Sequence, residues 1–220
     1  VEIASGASAL AVALVVGKRF GFTKGMHAPH NVPLVLIGVG ILWFGWLGFN
    51  AGSELAADGI AALSFVNTMA APVGGLLAWA LYEKFVVGKP TAVGAASGAV
   101  AGLVAITPSC AFIDPLWALA LGAIAGLVCA FAVELKWKFG FDDSLDVVGI
   151  HLVGGIIGTL FIGLVGNNVG LLQTGSFDQL GKQAVGVLAI GVYAFVLAYV
   201  IAWVIQKTIG FRVTSTDEIA

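Results

Sequence analysis

Residues 32–50 read VPLVLIGVGILWFGWLGFN, without one charged side chain, and a stretch of that length crosses a hydrocarbon core of about 30 Å. Such stretches recur along the chain and constrain the fold more than any other feature. Lipid offers backbone N–H and C=O groups no partner, so each span must satisfy its own as a helix. Seven spans can be drawn, at 1–17, 32–50, 58–82, 90–108, 115–134, 146–166 and 183–206. Composition agrees, with 60% of the 220 residues hydrophobic and 10% charged, whereas a soluble globular domain carries about 25% charged residues. Too little polar surface exists to cover a water-soluble particle. The prediction is an all-α integral membrane protein, a polytopic bundle of about seven spans forming a single domain over 1–220. A net charge of −2 leaves no nucleic-acid footprint. Cys110 and Cys129 are too few for a disulfide framework and read as packing thiols.

The borders carry helix punctuation. Asn31 suits the cap of a helix whose first turn holds Pro33. Pro90 and Pro115 sit at similar starts, and Asp146 suits a helix N-terminus. Alternate loops hold Lys18, Arg19 and Lys24, then Lys84 and Lys89, then Lys136 and Lys138, then Lys207 and Arg212. Opposite loops hold only Lys182. That split places the richer side, with the C-terminal tail, in the cytoplasm of a multi-pass cell-membrane protein. The first run carries Glu2 at its head and its basic residues after it, so it does not read as a signal peptide. It reads instead as the middle of a helix in a longer protein, with Val1 an artificial beginning. Gly94-x-x-x-Gly98-x-x-x-Gly102 and Gly154-x-x-x-Gly158 predict helices packed backbone to backbone.

Two ionisable residues stand inside apolar runs, Glu2 in the first span and His151 in the sixth. Each costs on the order of 2.5–3.5 kcal/mol at a helix centre, and such groups usually face the bundle interior; the alternatives are a core histidine bonded to a neighbouring carbonyl and, for Glu2, an interfacial carboxylate near a helix end. Glu2 is followed by Ser5 and Ala9, His151 by Gly154 and Gly158, so each heads a stripe of small residues on one face. The two helices run in opposite directions, as an inverted repeat would place them. A carboxylate beside an imidazole can hold and pass a proton, because each stabilises the charged form of the other. Trp43, Phe44, Trp46 and Phe49 cluster at the external end of the second span, where they read either as an aromatic belt at the lipid interface or as a face that attracts a cation. Glu54 and Asp58 add negative charge there.

GWLGFNAGSELAADGIAALSFVNT (45–68), PHNVP (29–33), GAVAGLVAITPSCAFIDP (98–115), DDSLDVVGIHLVGGIIG (142–158) and GFRV (210–213) together resemble the Amt/Mep/Rh ammonium transporters. The likeness runs through nearly the whole chain in colinear order. It implies the larger C-terminal part of an eleven-helix inverted-repeat transporter, from the middle of the fifth span to the eleventh. His151 resembles the second of the family's two pore histidines. Glu2 stands where the first is expected, in V-E-I rather than V-H-I, the acidic variant seen among fungal Mep proteins. Phe49 resembles one of two stacked gate phenylalanines, Ser53 the serine of the external ammonium-recruitment site, and Trp46 a pore-lining tryptophan. Asp143 and Asp146 resemble acidic residues that start the tenth span, and read as structural. The resemblance also implies a homotrimer and a cytoplasmic PII-type regulator.

The mechanism implied is recruitment of ammonium, loss of its proton, and passage of ammonia through an apolar pore lined by the Glu2/His151 pair. Dehydrating the charged form would be costly, whereas the neutral molecule meets a lower barrier. The alternative is an ammonium sensor with a transporter fold. An enzyme is not predicted, since neither H-E-x-x-H nor a nucleophile elbow is present. A general cation channel would want rings of acidic groups or carbonyls. No cofactor is predicted. His27-x-x-His30 lacks the further ligands that a metal site needs, so no metal is predicted. With part of the pore missing, the 220-residue chain alone is expected not to transport, and to leave Glu2, His151 and Phe49 exposed along an open groove.

Overall fold

The computed structural model describes residues 1–24 and 29–219. His27 of the H-x-x-H pair lies outside them. Among the described residues there is no strand. The chain forms α1 (Glu2–Val16), α2 (Val32–Ala51), α3 (Gly59–Val86), α4 (Ala92–Ile106), α5 (Pro115–Ala132), α6 (Leu135–Phe139), α7 (Val153–Val165), α8 (Leu171–Thr174), α9 (Asp178–Thr208) and α10 (Ser215–Ile219). A π turn at Val148–Leu152 leads directly into α7, and a 3-10 turn at Gly52–Glu54 follows α2.

Each expected span is occupied by a helix, with α3 running past one end of its span and α9 past both ends of its own. Among the described residues five helices are long and apolar enough to cross a membrane, and the apolar helices Glu2–Val16 and Ala92–Ile106 are shorter. At 15 residues α4 reaches only about 22 Å. Turns at 107–112 follow it, and non-helical backbone at membrane depth needs protein partners. Asn67 of α3, fully buried, supplies them: its Nδ2 donates to the carbonyls of Cys110 at 2.8 Å and Ile113 at 2.7 Å. Ser109 Oγ donates to the Gly158 carbonyl at 2.7 Å and ties the same turns to α7.

The caps follow from the side chains at the helix starts. Asn31 Oδ1 accepts from Leu34 N–H at 3.0 Å, and Asp58 Oδ1 accepts from Ile60 and Ala61 at 2.9 and 3.0 Å. Asp58 is therefore a cap as well as an external charge. Thr91 rather than Pro90 caps α4, through Gly94 N–H at 2.9 Å.

Helices α3, α4 and α5 form the tightest part of the bundle. A Cβ at Gly98 would overlap the Gly75 carbonyl, and one at Gly102 the Ala71 carbonyl. The glycine stripe of α4 is thus the seat of α3, and only hydrogen at these positions allows that approach. Gly154 and Gly158 face Val104 and Ala105 of α4. α9 begins at Asp178, earlier than the apolar run at 183. Its first turn carries an Asp178–Lys182 pair at 2.6 Å, four residues apart, as helix spacing allows.

Candidate functional site

α1 and the segment carrying His151 cross backbone against backbone. A Cβ at Gly6 would overlap Leu152, and one at Gly155 would stand 3.0 Å from both Glu2 Cβ and Ile3 N. The pairing of 6 with 152 and of 2 with 155 makes the two segments antiparallel. The small residues at the crossing are therefore Gly6 and Gly155. The anticipated stripes point elsewhere: Gly154 and Gly158 seat α4, and Ser5 is exposed with its hydroxyl donating to the Val1 carbonyl at 3.1 Å.

Across this contact Glu2 Oε2 and His151 Nδ1 lie 2.5 Å apart. The carboxylate accepts when Nδ1 carries its hydrogen, which orients the ring and leaves Nε2 free to exchange a proton. Glu2 is 7% exposed and His151 partly buried. The expectation that Glu2 would lie exposed in an open groove is corrected. The close crossing sets its Cβ beside Gly155 and its carboxylate against His151, while Phe49 is 44% exposed.

His151 occupies the π turn, where one additional residue is fitted into the turn, a feature frequent at functional sites. The start of that turn is anchored from below. Asp143, buried, accepts from Val147 N–H at 3.0 Å and Val148 N–H at 2.7 Å. Asp146 has φ +59 and pairs with Lys136 Nζ at 2.5 Å. Lys136 also donates to the Asp143 carbonyl at 3.0 Å. Asp143, rather than Asp146, is the group that caps this helix.

A cavity of about 450 Å³ is lined by Glu2, Ile41, Leu42, Gly45, Trp46 and Phe49. The structure therefore brings Trp46 and Phe49 to the Glu2/His151 pair. Their rings meet edge to face, with centroids 5.8 Å apart. Ser53, exposed in the 3-10 turn, donates from Oγ to the Phe49 carbonyl at 2.5 Å and so stands one turn beyond the ring. A second cavity, of about 220 Å³, lies on another side of Glu2 and is lined also by Thr107, Pro108, Gly155 and Thr159. Thr107 was not singled out from the sequence, yet its Oγ1 accepts from Trp46 Nε1 at 2.8 Å. Its signal was the Thr-Pro step closing an apolar run. Among the described residues no three His, Cys, Asp or Glu side chains cluster to hold a metal ion.

The sequence profile of the Ammonium Transporter Family matches residues 1–220. The chain belongs to the ammonium transporter family. It is 48% identical to an ammonium transporter of Mycobacterium tuberculosis, over 99% of this chain and 48% of that protein. Among solved structures, Saccharomyces cerevisiae Mep2 superposes with a TM-score of 0.90 at 32% identity, over 98% of this chain and 52% of that one. A sensor Amt protein superposes with a TM-score of 0.88 at 32% identity, over 97% and 55%. The chain spans about half the length of the curated relatives it matches. The family is one of transporters rather than enzymes, and the apolar helices fit a membrane location.

Proposed function

We propose that the complete protein carries ammonium nitrogen across a cell membrane by recruiting ammonium, removing a proton, and passing ammonia through an apolar pore. The observation that carries this reading is the Glu2–His151 contact at 2.5 Å in a chain of the ammonium transporter family. Buried charge is unfavourable at membrane depth, so a bonded pair there suits a proton-handling role. Ser53 and the rings of Trp46 and Phe49 would attract the cation at the outer end, since aromatic faces favour cations. Phe49 is the proposed gate and Trp46 lines the path beneath it. Ammonium gives its proton to the Glu2/His151 pair, which relays it onward and is thereby reset for the next ion, because the neutral molecule crosses an apolar conduit at much lower cost than the ion. Asp143 and Asp146 are structural in this scheme. The C-terminal tail lies in the cytoplasm on the basic side, and three copies with a PII-type regulator complete the proposed assembly.

The full-length protein in liposomes tests the reading. Glu2→Gln and His151→Asn should each lower ammonium-driven flux at least about tenfold, while Glu2→His keeps a proton-passing pair and retains flux with a changed pH profile. Potassium flux equal to ammonium flux would reject the transporter in favour of a general cation channel. The likeness to a sensor Amt protein favours one second reading, an ammonium receptor. Ammonium binding without flux in the wild type would select it.

A further inference from the structure

α2 is apolar on nearly every side, and of its 20 residues only Trp46 and Asn50 are buried. Lipid is as apolar as leucine, so greasy contact alone does not set how such a helix is rotated about its axis. Hydrogen bonds do. Pro72 lies inside α3 and lacks the N–H that would otherwise bond the carbonyl four residues back. That carbonyl belongs to Thr68, which is fully buried. Trp43 of α2 takes the vacancy, its Nε1 donating to the Thr68 carbonyl at 3.1 Å. Asn50, two turns further along α2, donates from Nδ2 to Thr68 Oγ1 at 2.9 Å, and that hydroxyl passes its own hydrogen to the Ser64 carbonyl at 2.6 Å. Between them Trp46 donates to Thr107 at 2.8 Å.

At 100° per residue, positions 43, 46 and 50 fall within an arc of about 60°. Phe49 lies about 60° beyond Trp46 on the other side, toward Gly45 and the cavity that Glu2 lines. The three bonds therefore fix which way Phe49 points. Asn50 does this while leaving its Oδ1 buried and unpartnered, a cost that an apolar side chain would avoid. Its amide contributes orientation rather than stability.

We infer that Trp43 and Asn50 are positioning residues for the Phe49 gate, acting through the carbonyl that Pro72 leaves open and the Thr68 hydroxyl. The inference rests on the reading of Phe49 as a gate. Its test is the ratio of methylammonium to ammonium flux in liposomes holding the full-length protein, since a displaced gate changes size discrimination. Trp43→Phe should move that ratio about three- to tenfold. Pro72→Ala gives the Thr68 carbonyl a donor within α3 but supplies no bond to α2, so Trp43→Phe should move the ratio as far in the Pro72→Ala background as it does alone. Asn50→Leu should move the ratio while the melting temperature holds or rises. A Trp43→Phe variant like wild type, a double variant restored to the wild-type ratio, or an Asn50→Leu variant with an unmoved ratio would each overturn the positioning role. Phe49→Ala separates the two ideas. A ratio that Phe49→Ala leaves unmoved rejects the gate itself, whereas one moved by Phe49→Ala and not by Trp43→Phe rejects only the positioning.

Discussion

A hydrogen atom at position 155 is what lets Glu2 reach His151. Any Cβ there would stand 3.0 Å from Glu2 Cβ and Ile3 N, tighter than side chains tolerate without a shift. Gly155→Val should push α1 away, stretch the 2.5 Å contact and lower flux more than about tenfold, with a stability loss of about 1–3 kcal/mol. Gly181→Val is the control, because nothing lies within 4 Å of a Cβ at that position and its flux should stay near wild type. Parallel flux and melting measurements on the two variants check the prediction, and equal behaviour would refute it. The residues of the candidate site divide by how they announce themselves. Glu2 and His151 were legible because an ionisable group in an apolar run has a high cost and calls for a reason. Trp46 and Phe49 were legible through the aromatic cluster and the family's motif. Gly155 and Gly6 were not, since a chain with 31 glycines gives no local sign of which one sits at a crossing.

Elements carry the same lesson one level up. The long helices were legible from uncharged runs, because length and apolarity alone decide a span. The π turn at Val148–Leu152 was not, since a helix apolar on all sides has no face whose drift would betray an extra residue. The break after α4 was legible between the spans at 90–108 and 115–134, but the buried Asn67 that satisfies the Cys110 and Ile113 carbonyls was not. Asp143 is the group on which the His151 helix starts, with two backbone N–H groups on its carboxylate. Asp143→Ala strands both donors away from water and should cost about 1–2 kcal/mol. Asp143→Asn keeps an acceptor and should recover part of that loss. Thermal unfolding of the two variants distinguishes them, and hydrogen exchange at Val147 and Val148 should accelerate in the alanine variant first.

For the whole molecule, the basic end is a set of loops joined by ion pairs and by the stacking of Phe22 on Trp137, with ring centroids 4.8 Å apart. Arg19 meets Asp142 at 3.2 Å, next to the Asp143 cap, and Lys24 pairs with Glu134. The far end of the chain joins the same set. Arg212 donates to the Lys18 carbonyl and pairs with Glu218, whose Oε1 accepts from Phe20 N–H at 2.8 Å. The Arg212 guanidinium, and then the Phe20 N–H, hold the Glu218 carboxyl below its ordinary 4.5. A lowered carboxylate value has a definite sign in linkage: the docked tail is favoured fully above pH 4.5 and loses that contribution as the pH falls through the lowered value. The Glu218 side chain is partly exposed, so salt should weaken the same contact. Hydrogen exchange at Phe20 N–H, corrected for intrinsic pH dependence, should show protection that is flat at neutral pH and falls in the acid range. Glu218→Gln should abolish that acid step while leaving the protection of α3 and α5 unchanged, because the Glu218 carboxylate bonds to Phe20 and Arg212. A step that persists in Glu218→Gln would assign it to another carboxylate of the set, Asp142 or Glu134, and would dissociate tail docking from Glu218.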